Sequence, residues 1–245
     1  MALRIVELLR QKKQNLYGAK PVTIAFLGDS VTQGCFELYR LPQGGIETYF
    51  ERDAAYSEKL RSILQTLYPS VQVNIINSGI SGDNAPNGLN RMERDIFPYS
   101  PDLLIVCYGL NDSGAGQDGL ARYTDALRGI FAKCKERDLD VIFMTPNMMN
   151  TYVSLRDDHE AFTNIAASVM HTQNDGVMDA YMDGARQVAA EAGVPVCDCY
   201  AKWKRLADAG VDTTFLLANN INHPSREMHW LFAWSLLEEI FFNKS

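Results

Sequence analysis

The sequence predicts an α/β fold of three layers, in which helices cover both faces of a doubly wound sheet of about five parallel strands. Short runs of apolar and β-branched residues alternate with longer stretches of helical periodicity, as in consecutive βαβ units. The first such run begins at Val22 and contains only one polar residue, Thr23, before Gly28. Its composition is typical of a strand that is buried on both faces.

The helices and strands follow from hydrophobic periodicity and from the positions of glycine and proline. After the first strand, over residues 22–27, four more strands are predicted at Val71–Ile76, Leu103–Tyr108, Val141–Met144 and Val194–Cys197. Helices are predicted at 1–17, at about 53–68, around Leu89, Met92 and Ile96, near 119–137, at 157–172, at 177–192 and from about Pro224 onward. Residues 35–54 form a polar and aromatic segment that follows the first strand.

Length and charge restrict the kind of protein. The 245 residues suffice for one domain spanning 1–245, with the helix of segment 1–20 packed on it. The formal net charge of −7 argues against nucleic acid as a partner. No stretch has the character of a signal peptide or a membrane span, so a cytoplasmic protein without membrane insertion is expected. The five cysteines lack the spacing of a disulfide framework or of paired zinc ligands. No metal and no cofactor is therefore expected, and no oligomeric state is indicated.

Polar residues that could carry chemistry follow the predicted elements. Ser30 comes directly after the first strand, Gly79 after the second and Asn111 after the third, while His223 lies in a loop ahead of the final helix. In open α/β sheets, ligands bind beyond the carboxyl ends of the strands, where the first three of these residues are expected. The sequence around Ser30 is on its own an ordinary turn sequence, so only the combination indicates catalysis.

These residues resemble the four sequence blocks of the SGNH (GDSL-like) hydrolase superfamily, which are named for a serine, a glycine, an asparagine and a histidine. The resemblance extends from about Val22 to the carboxyl terminus. It implies a flavodoxin-like, three-layer α/β/α fold and a serine esterase. The matching stretches are, in chain order, Gly28-Asp29-Ser30, then Asn77-Ser78-Gly79 with Gly82, then Gly109-Leu110-Asn111-Asp112, and finally His223-Pro224.

The resemblance implies a role for each of these residues. Ser30 would attack an ester carbonyl, and His223 would take the serine proton as general base. The carbonyl oxygen then gains negative charge, which hydrogen-bond donors stabilise. The resemblance implies three donors to this oxyanion: the backbone N–H of Ser30, the backbone N–H of Gly79 and the side-chain amide of Asn111.

Among the four histidines, only His223 lies in a predicted loop. His159 and His171 lie in predicted helices and are expected to be surface or packing residues, and His229 lies within the final helix. If Pro224 is the first helical residue, the positive end of the helix dipole opposes protonation of His223 and keeps it ready to act as a base.

The position three residues before this histidine departs from the family pattern. The family commonly has an aspartate there to hold the imidazole, whereas this sequence has Asn220. Three interpretations are open: a backbone carbonyl orients His223 in a Ser–His dyad, another acid such as Asp198 reaches it, or the activity is weak or lost. The dyad is favoured because the serine, the histidine and the other oxyanion positions are present. Asn220 itself is also a candidate for orienting the imidazole.

The predicted function is a carboxyl-ester hydrolase that acts through an acyl-Ser30 intermediate. Aromatic and amide groups in residues 35–54 suit a small-molecule or carbohydrate ester better than a long alkyl chain, so the reaction could remove acetyl groups from a carbohydrate. The main alternative is a non-catalytic carbohydrate- or ligand-binding protein on the same scaffold. A nucleotide-binding domain is disfavoured, because neither Gly-x-Gly-x-x-Gly nor a phosphate-loop lysine follows the first strand.

Overall fold

Strands and helices alternate along most of the chain. The computed structural model describes residues 3–155 and 160–242, without the side chain of residue 161. Over these residues the α-helices and strands follow in the order α1 (Ile5–Gln14), β1 (Val22–Gly28), α2 (Ser30–Gln33), β2 (Cys35–Arg40), β3 (Ile46–Phe50), α3 (Tyr56–Leu67), β4 (Val73–Gly79), α4 (Ala85–Asp95), β5 (Leu103–Cys107), α5 (Leu120–Glu136), β6 (Asp140–Met144), α6 (Glu160–Asn174), α7 (Val177–Ala192), β7 (Val196–Cys197), α8 (Cys199–Asp208) and α9 (His229–Phe241).

The central sheet contains five parallel strands in the order β4-β1-β5-β6-β7, flanked by helices. Strand β1 is buried except at Thr23, and it pairs with both β4 and β5. Gly28 at its end is in register with Gly79 of β4 and with Cys107 of β5. Three strands therefore end at one edge of the sheet. The predicted three-layer α/β/α fold with five parallel strands is confirmed.

Strand β4 starts two residues later than predicted and runs three residues further, to Gly79. The polar residues Asn77 and Ser78 remain in the strand because their side chains bond neighbouring backbone groups. The amide of Asn77 donates to the carbonyl of Thr32 (2.7 Å), and the hydroxyl of Ser78 donates to the carbonyl of Asp95 (3.1 Å). These bonds attach the end of β4 to α2 and α4.

Residues 35–54 contain an antiparallel hairpin of β2 and β3, which the sequence did not predict as strands. Its turn includes Gly44 and Gly45 with φ of 92° and 97°, a conformation that glycine adopts without strain. The base of the hairpin is buried at Cys35 and Phe36. Strand β3 has no buried residue, and its sequence therefore contains no apolar run from which a strand could be predicted. The aromatic residues exposed on the hairpin are Tyr39, Tyr49 and Phe50.

The final helix begins at His229, five residues later than predicted. Pro224 instead forms an isolated antiparallel β-bridge with Leu217, and the N–H of Ser225 donates to the carbonyl of Leu216 (2.8 Å). The prediction that Pro224 is the first helical residue is therefore wrong. Backbone bonds to an earlier part of the same loop hold this stretch extended.

The remaining differences concern helices. Helix α8 was not predicted, and the side chain of Asp198 caps it by accepting the N–H of Ala201 (3.1 Å). Helix α6 begins at Glu160, and the predicted helical residues 157–159 lie outside the described residues. The amino-terminal helix is present as α1, with Ile5 and Leu9 fully buried. Among the helices described, none combines the length and apolar character needed to cross a membrane.

Arg91 connects several elements beneath the edge of the sheet where β1, β4 and β5 end. Its side chain is 8% exposed and forms an ion pair with the buried Asp83 (2.6 Å). It also donates to the carbonyl of Gly28 (3.0 Å) and the hydroxyl of Tyr108 (2.9 Å), and it pairs with Asp95 (3.0 Å). Tyr108 in turn donates to Asp83 (2.8 Å). The network joins the end of β1, the loop after β4, helix α4 and the end of β5.

Replacing Arg91 with methionine is expected to lower the free energy of unfolding by about 3–5 kcal/mol, because it leaves the buried carboxylate of Asp83 without its cation. Urea denaturation followed by circular dichroism measures the change. Arg94→Met is the matched control: Arg94 lies on the same helix and pairs with the same Asp95, but its side chain is 72% exposed, so little change is expected. Equal stability of the two variants would contradict the proposed importance of the buried network.

Candidate active site

Ser30 is the first residue of the single helical turn α2, which follows β1. Asp29 caps that turn, because its carboxylate accepts the N–H of Val31 (3.0 Å). A Cβ at Gly28 would overlap the side chain of Thr32 and come within 2.8 Å of the carbonyl oxygen of Cys107, so only glycine fits this position. The buried turn therefore fixes the position of Ser30, which is 4% exposed.

His223 lies at the end of a loop that Asn219 organises. The side-chain oxygen of Asn219 accepts the N–H groups of Ile221 (3.0 Å), Asn222 (2.9 Å) and His223 (2.9 Å). The imidazole is 5% exposed, and its Nε2 lies 3.0 Å from Oγ of Ser30. Two residues 193 positions apart in the sequence are thus within hydrogen-bond distance.

The second nitrogen of the imidazole defines its tautomer. Nδ1 of His223 lies 2.9 Å from the carbonyl oxygen of Phe36 in β2. Because a carbonyl oxygen can only accept a hydrogen bond, Nδ1 carries the proton and Nε2 accepts the hydroxyl of Ser30. Burial lowers the pKa of His223 to about 4, although the bond to Phe36 and the carboxylate of Glu37 act in the opposite direction. The imidazole is therefore neutral and able to accept a proton at pH 7.

The helix dipole does not explain this neutrality. Helix α9 begins six residues after His223, whereas the effect of a helix end is confined to about its first turn. Burial of the imidazole, and not the helix dipole, keeps His223 neutral.

Neither side chain suggested by the sequence is the hydrogen-bond partner of Nδ1, since that partner is the carbonyl of Phe36. Asn220 adopts a left-handed conformation with φ of 53°, and its N–H donates to the carbonyl of Leu217 (3.1 Å). Asp198 pairs with Arg186 (2.9 Å) and caps α8. The arrangement matches the Ser–His dyad with a backbone carbonyl, the first of the three interpretations of the sequence.

The other histidines lie elsewhere. His171 is on the surface of α6, 3.5 Å from Asp175. His229 is fully buried, and its Nδ1 accepts the N–H of Tyr56 (3.0 Å). Burial lowers the pKa of His229 to about 3. The predicted role of His159 concerns a residue outside the described part of the chain.

Gly79 differs from its predicted role in one respect: its N–H donates to the side-chain oxygen of Asn77 (3.0 Å), within its own turn. A Cβ at Gly79 would overlap the backbone of Gln33 in α2, so this glycine is required for close packing. The N–H assigned to the oxyanion is therefore engaged with Asn77. The packing explains the glycine without any contact to substrate.

Asn111, in the loop after β5, lies beside the loop after β4, which contains a second glycine, Gly82. Its side-chain amide donates one hydrogen bond to the carbonyl of Asp83 (2.8 Å), the residue that follows Gly82. Gly82 is exposed with φ of 79°, and no atom lies within 4 Å of a Cβ built on it. Within residues 3–155 and 160–242, the N–H of Gly82 has no hydrogen-bond partner. The sequence placed both glycines in one block but could not distinguish the packed one from the open one.

Two buried carboxyl groups lie in the turns beneath the site. One oxygen of Asp29 and one of Asp112 have no hydrogen-bond partner within the described residues. Burial raises the pKa of Asp29 to about 7 and that of Asp112 to about 6. Within residues 3–155 and 160–242, no group of three or more His, Cys, Asp or Glu side chains is arranged to hold a metal ion.

The chain is similar to known proteins both in sequence and in fold. The model of the GDSL-like lipase/acylhydrolase family matches residues 26–231. The chain is 25% identical over 228 residues to an acetylxylan esterase of Geobacillus stearothermophilus. The aligned region covers 89% of this chain and 94% of that protein. The solved structure of an acetylxylan esterase from that organism has a TM-score of 0.66 at 24% identity, over 91% of this chain and 95% of the other. A two-domain esterase active on acetylated mannans has a TM-score of 0.67 at 16% identity.

The chain therefore belongs to the GDSL-like lipase/acylhydrolase family, and the resemblance to the SGNH superfamily is confirmed. It is a carboxyl-ester hydrolase of the GDSL/SGNH type. The two solved structures support the fold. The match to the two-domain esterase covers 99% of this chain and about half (54%) of the larger protein.

Asp29→Asn is expected to change how stability depends on pH. Burial raises the pKa of Asp29 from its ordinary value of 3.8 to about 7, so between these values the unfolded chain loses a proton that the native state retains. The free energy of unfolding of the wild type therefore falls, relative to that of Asp29→Asn, as the pH rises from about 4 to about 7. Above about pH 7 the difference becomes constant. Asparagine can still accept the N–H of Val31.

Urea denaturation at a series of pH values from 4 to 8 measures this difference. Asp53→Asn, at an exposed position, is the control for the effect of the substitution itself. If the difference between the wild type and Asp29→Asn is the same at pH 4 and pH 7, Asp29 is ionised in the native state and the assignment is wrong.

Proposed function

We propose that this protein hydrolyses carboxylic esters through an acyl intermediate on Ser30, with His223 as general base. The observation that carries the proposal is the pair of contacts at one imidazole: Nε2 is 3.0 Å from Oγ of Ser30, and Nδ1 is 2.9 Å from the carbonyl of Phe36. A serine hydroxyl is a weak nucleophile until a base removes its proton. The tautomer that these contacts imply puts the unprotonated nitrogen where it can do so.

The reaction follows from these contacts. As Oγ of Ser30 attacks the ester carbonyl, its proton passes to Nε2 of His223, and a tetrahedral intermediate forms. The intermediate collapses when the bond to the alcohol oxygen breaks and Nε2 returns the proton to that oxygen. Water then attacks the acyl-serine with His223 again as base, which releases the acid and restores Ser30. The carbonyl of Phe36 accepts the hydrogen bond from the Nδ1–H throughout and favours the imidazolium.

We assign the oxyanion donors to the backbone N–H of Ser30, the side-chain amide of Asn111 and the backbone N–H of Gly82. Gly82 replaces Gly79 in this proposal, because the N–H of Gly79 is bound to Asn77. The amide of Asn111 has two N–H groups, and only one is used by Asp83. That bond holds the amide against the carbonyl of Asp83, the residue after Gly82, so the donors of the two loops can converge on one oxygen.

We further propose that the natural substrates are acetylated carbohydrates. The sequence relative is an acetylxylan esterase, and a structural relative acts on acetylated mannans. The hairpin that carries Phe36 also exposes Tyr39, Tyr49 and Phe50, between 47% and 53% of each side chain. Exposed aromatic rings with polar neighbours suit the faces of sugar rings better than a long alkyl chain.

Ser30→Ala is expected to abolish hydrolysis of p-nitrophenyl acetate and the release of acetate from acetylated xylo- and manno-oligosaccharides. An organophosphonate should add one adduct mass to the wild type, on the peptide containing Ser30, and none to Ser30→Ala. Ser168→Ala, at an exposed position on α6, is the control and should retain full activity and labelling. Wild-type protein that binds these oligosaccharides but turns over neither ester would favour the non-catalytic binding protein instead.

Asn220→Asp is expected to leave kcat within a few-fold of the wild type. The Nδ1 proton is already bonded to Phe36, and aspartate tolerates the left-handed conformation of this position (φ 53°). Initial rates with p-nitrophenyl acetate measure the effect. A loss approaching the factor of about 10⁴ that follows from a wrong tautomer in a serine protease triad would show that Asn220 has a specific role in holding the imidazole.

A further inference from the structure

The carbonyl of Phe36 is held in place by the surroundings of its side chain. Phe36 is fully buried at the base of the hairpin. The guanidinium carbon of Arg226 lies 4.3 Å from the centre of its ring, and the ring of His229 lies 5.0 Å from it between centroids. A cation over an aromatic face is attracted by the ring, so Arg226 stabilises this orientation of Phe36.

Arg226 also joins the hairpin to the segment that follows His223. Its guanidinium contacts both carboxylate oxygens of Glu37 (2.6 and 3.1 Å), the residue after Phe36. Its Nε donates to Glu51, just beyond β3 (2.6 Å). Two-point pairing of arginine with a carboxylate fixes orientation as well as distance. One side chain thus connects the residue next to the Phe36 carbonyl with the chain three residues beyond the imidazole.

The net negative charge of Arg226, Glu37 and Glu51 favours the positively charged imidazolium that forms during the proposed reaction. Glu37 and Glu51 together carry one more negative charge than Arg226 neutralises. The carboxylate of Glu37 acts to raise the pKa of His223. A triad carboxylate would supply both an acceptor for Nδ1 and a negative charge. Here the acceptor is the carbonyl of Phe36, and the nearby negative charge is that of Glu37.

We propose that Arg226 is a positioning residue, which holds the hairpin against the loop of His223 so that the Phe36 carbonyl can orient the imidazole in place of a triad carboxylate. The inference rests on the proposed function, since it concerns the base of that reaction. Arg226 acts through Phe36 and is not assigned any contact with the reacting atoms.

Arg226→Met removes the charge and keeps most of the aliphatic chain. Its kcat on p-nitrophenyl acetate is expected to fall by about 10- to 100-fold with little change in KM, because small displacements of a catalytic group have effects of that size. Arg226→Lys, which keeps the cation and one ion pair, should recover part of the loss. The matched control is Arg128→Met, because Arg128 also joins two carboxylates, Asp125 (3.0 Å) and Glu191 (3.3 Å), on α5 and α7.

Two results would overturn the positioning role. The first is a kcat for Arg226→Met equal to that of Arg128→Met, and the second is a loss that lies entirely in KM. Urea denaturation of each variant identifies a change caused by general destabilisation. If Arg226→Met does not fold, Glu37→Gln serves in its place. It removes the negative charge and weakens the same pair, so a smaller fall in kcat is expected from it.

A second measurement does not depend on turnover. The Nδ1 proton of His223 should give a downfield proton resonance in the wild type, identified by its loss in His223→Gln. This proton is expected to exchange faster with water in Arg226→Met than in Arg128→Met, and equal exchange would contradict the role of Arg226. If Ser30 proves not to be a nucleophile, the proposed function fails while this contrast still tests the contact. If turnover depends on Ser30 but not on Arg226, only the positioning role fails.

Discussion

The two hydrogen bonds of the His223 imidazole are the interaction on which the site depends. The bond from Nδ1 to the carbonyl of Phe36 places the proton on that nitrogen and leaves Nε2 free to accept the hydroxyl of Ser30. Three separate parts of the chain must meet for this: the turn after β1, the base of the hairpin and the loop 219–223. The loop is held from below as well, because the N–H of Asn150 donates to the carbonyl of Ile221 (2.8 Å). A backbone carbonyl is therefore the partner of Nδ1, as in the interpretation that was favoured from the sequence.

Two carboxyl groups near Ser30 and His223 are buried in an energetically unfavourable way. Asp29 and Asp112 each retain a buried oxygen without a partner, and burial raises the pKa of both carboxyl groups. Such groups lower stability, and proteins tolerate them mainly where function requires a fixed geometry. The network around Arg91 acts in the other direction, since it links the ends of the strands from which the two loops with the proposed oxyanion donors extend. The proposed nucleophile and donors thus extend from a well-bonded edge of the sheet.

Much of this could be predicted from the sequence, because hydrophobic runs and the positions of glycine reflect local physics. The parallel sheet and the position of Ser30 beyond β1 rest on such patterns, whereas the choice of His223 rested on its predicted loop and on the resemblance to the family. Features that depend on long-range contacts could not be predicted. The side chain of Asn77 engages the N–H of Gly79, and so separates this glycine from Gly82, only once the turn has formed. The start of α9 depends on the bridge between Leu217 and Pro224. Phe36 lies 187 residues from His223 and contributes a backbone atom, which no sequence motif marks.

The most direct test of the account is a crystal structure of the protein after reaction with a short-chain organophosphonate. The account predicts phosphorus bonded to Oγ of Ser30, with the phosphoryl oxygen at about 3 Å from the backbone nitrogens of Ser30 and Gly82 and from the side-chain nitrogen of Asn111. Nδ1 of His223 should remain on the carbonyl of Phe36. A phosphoryl oxygen turned toward solvent, or an imidazole whose Nδ1 has moved to a side-chain carboxylate, would contradict the account.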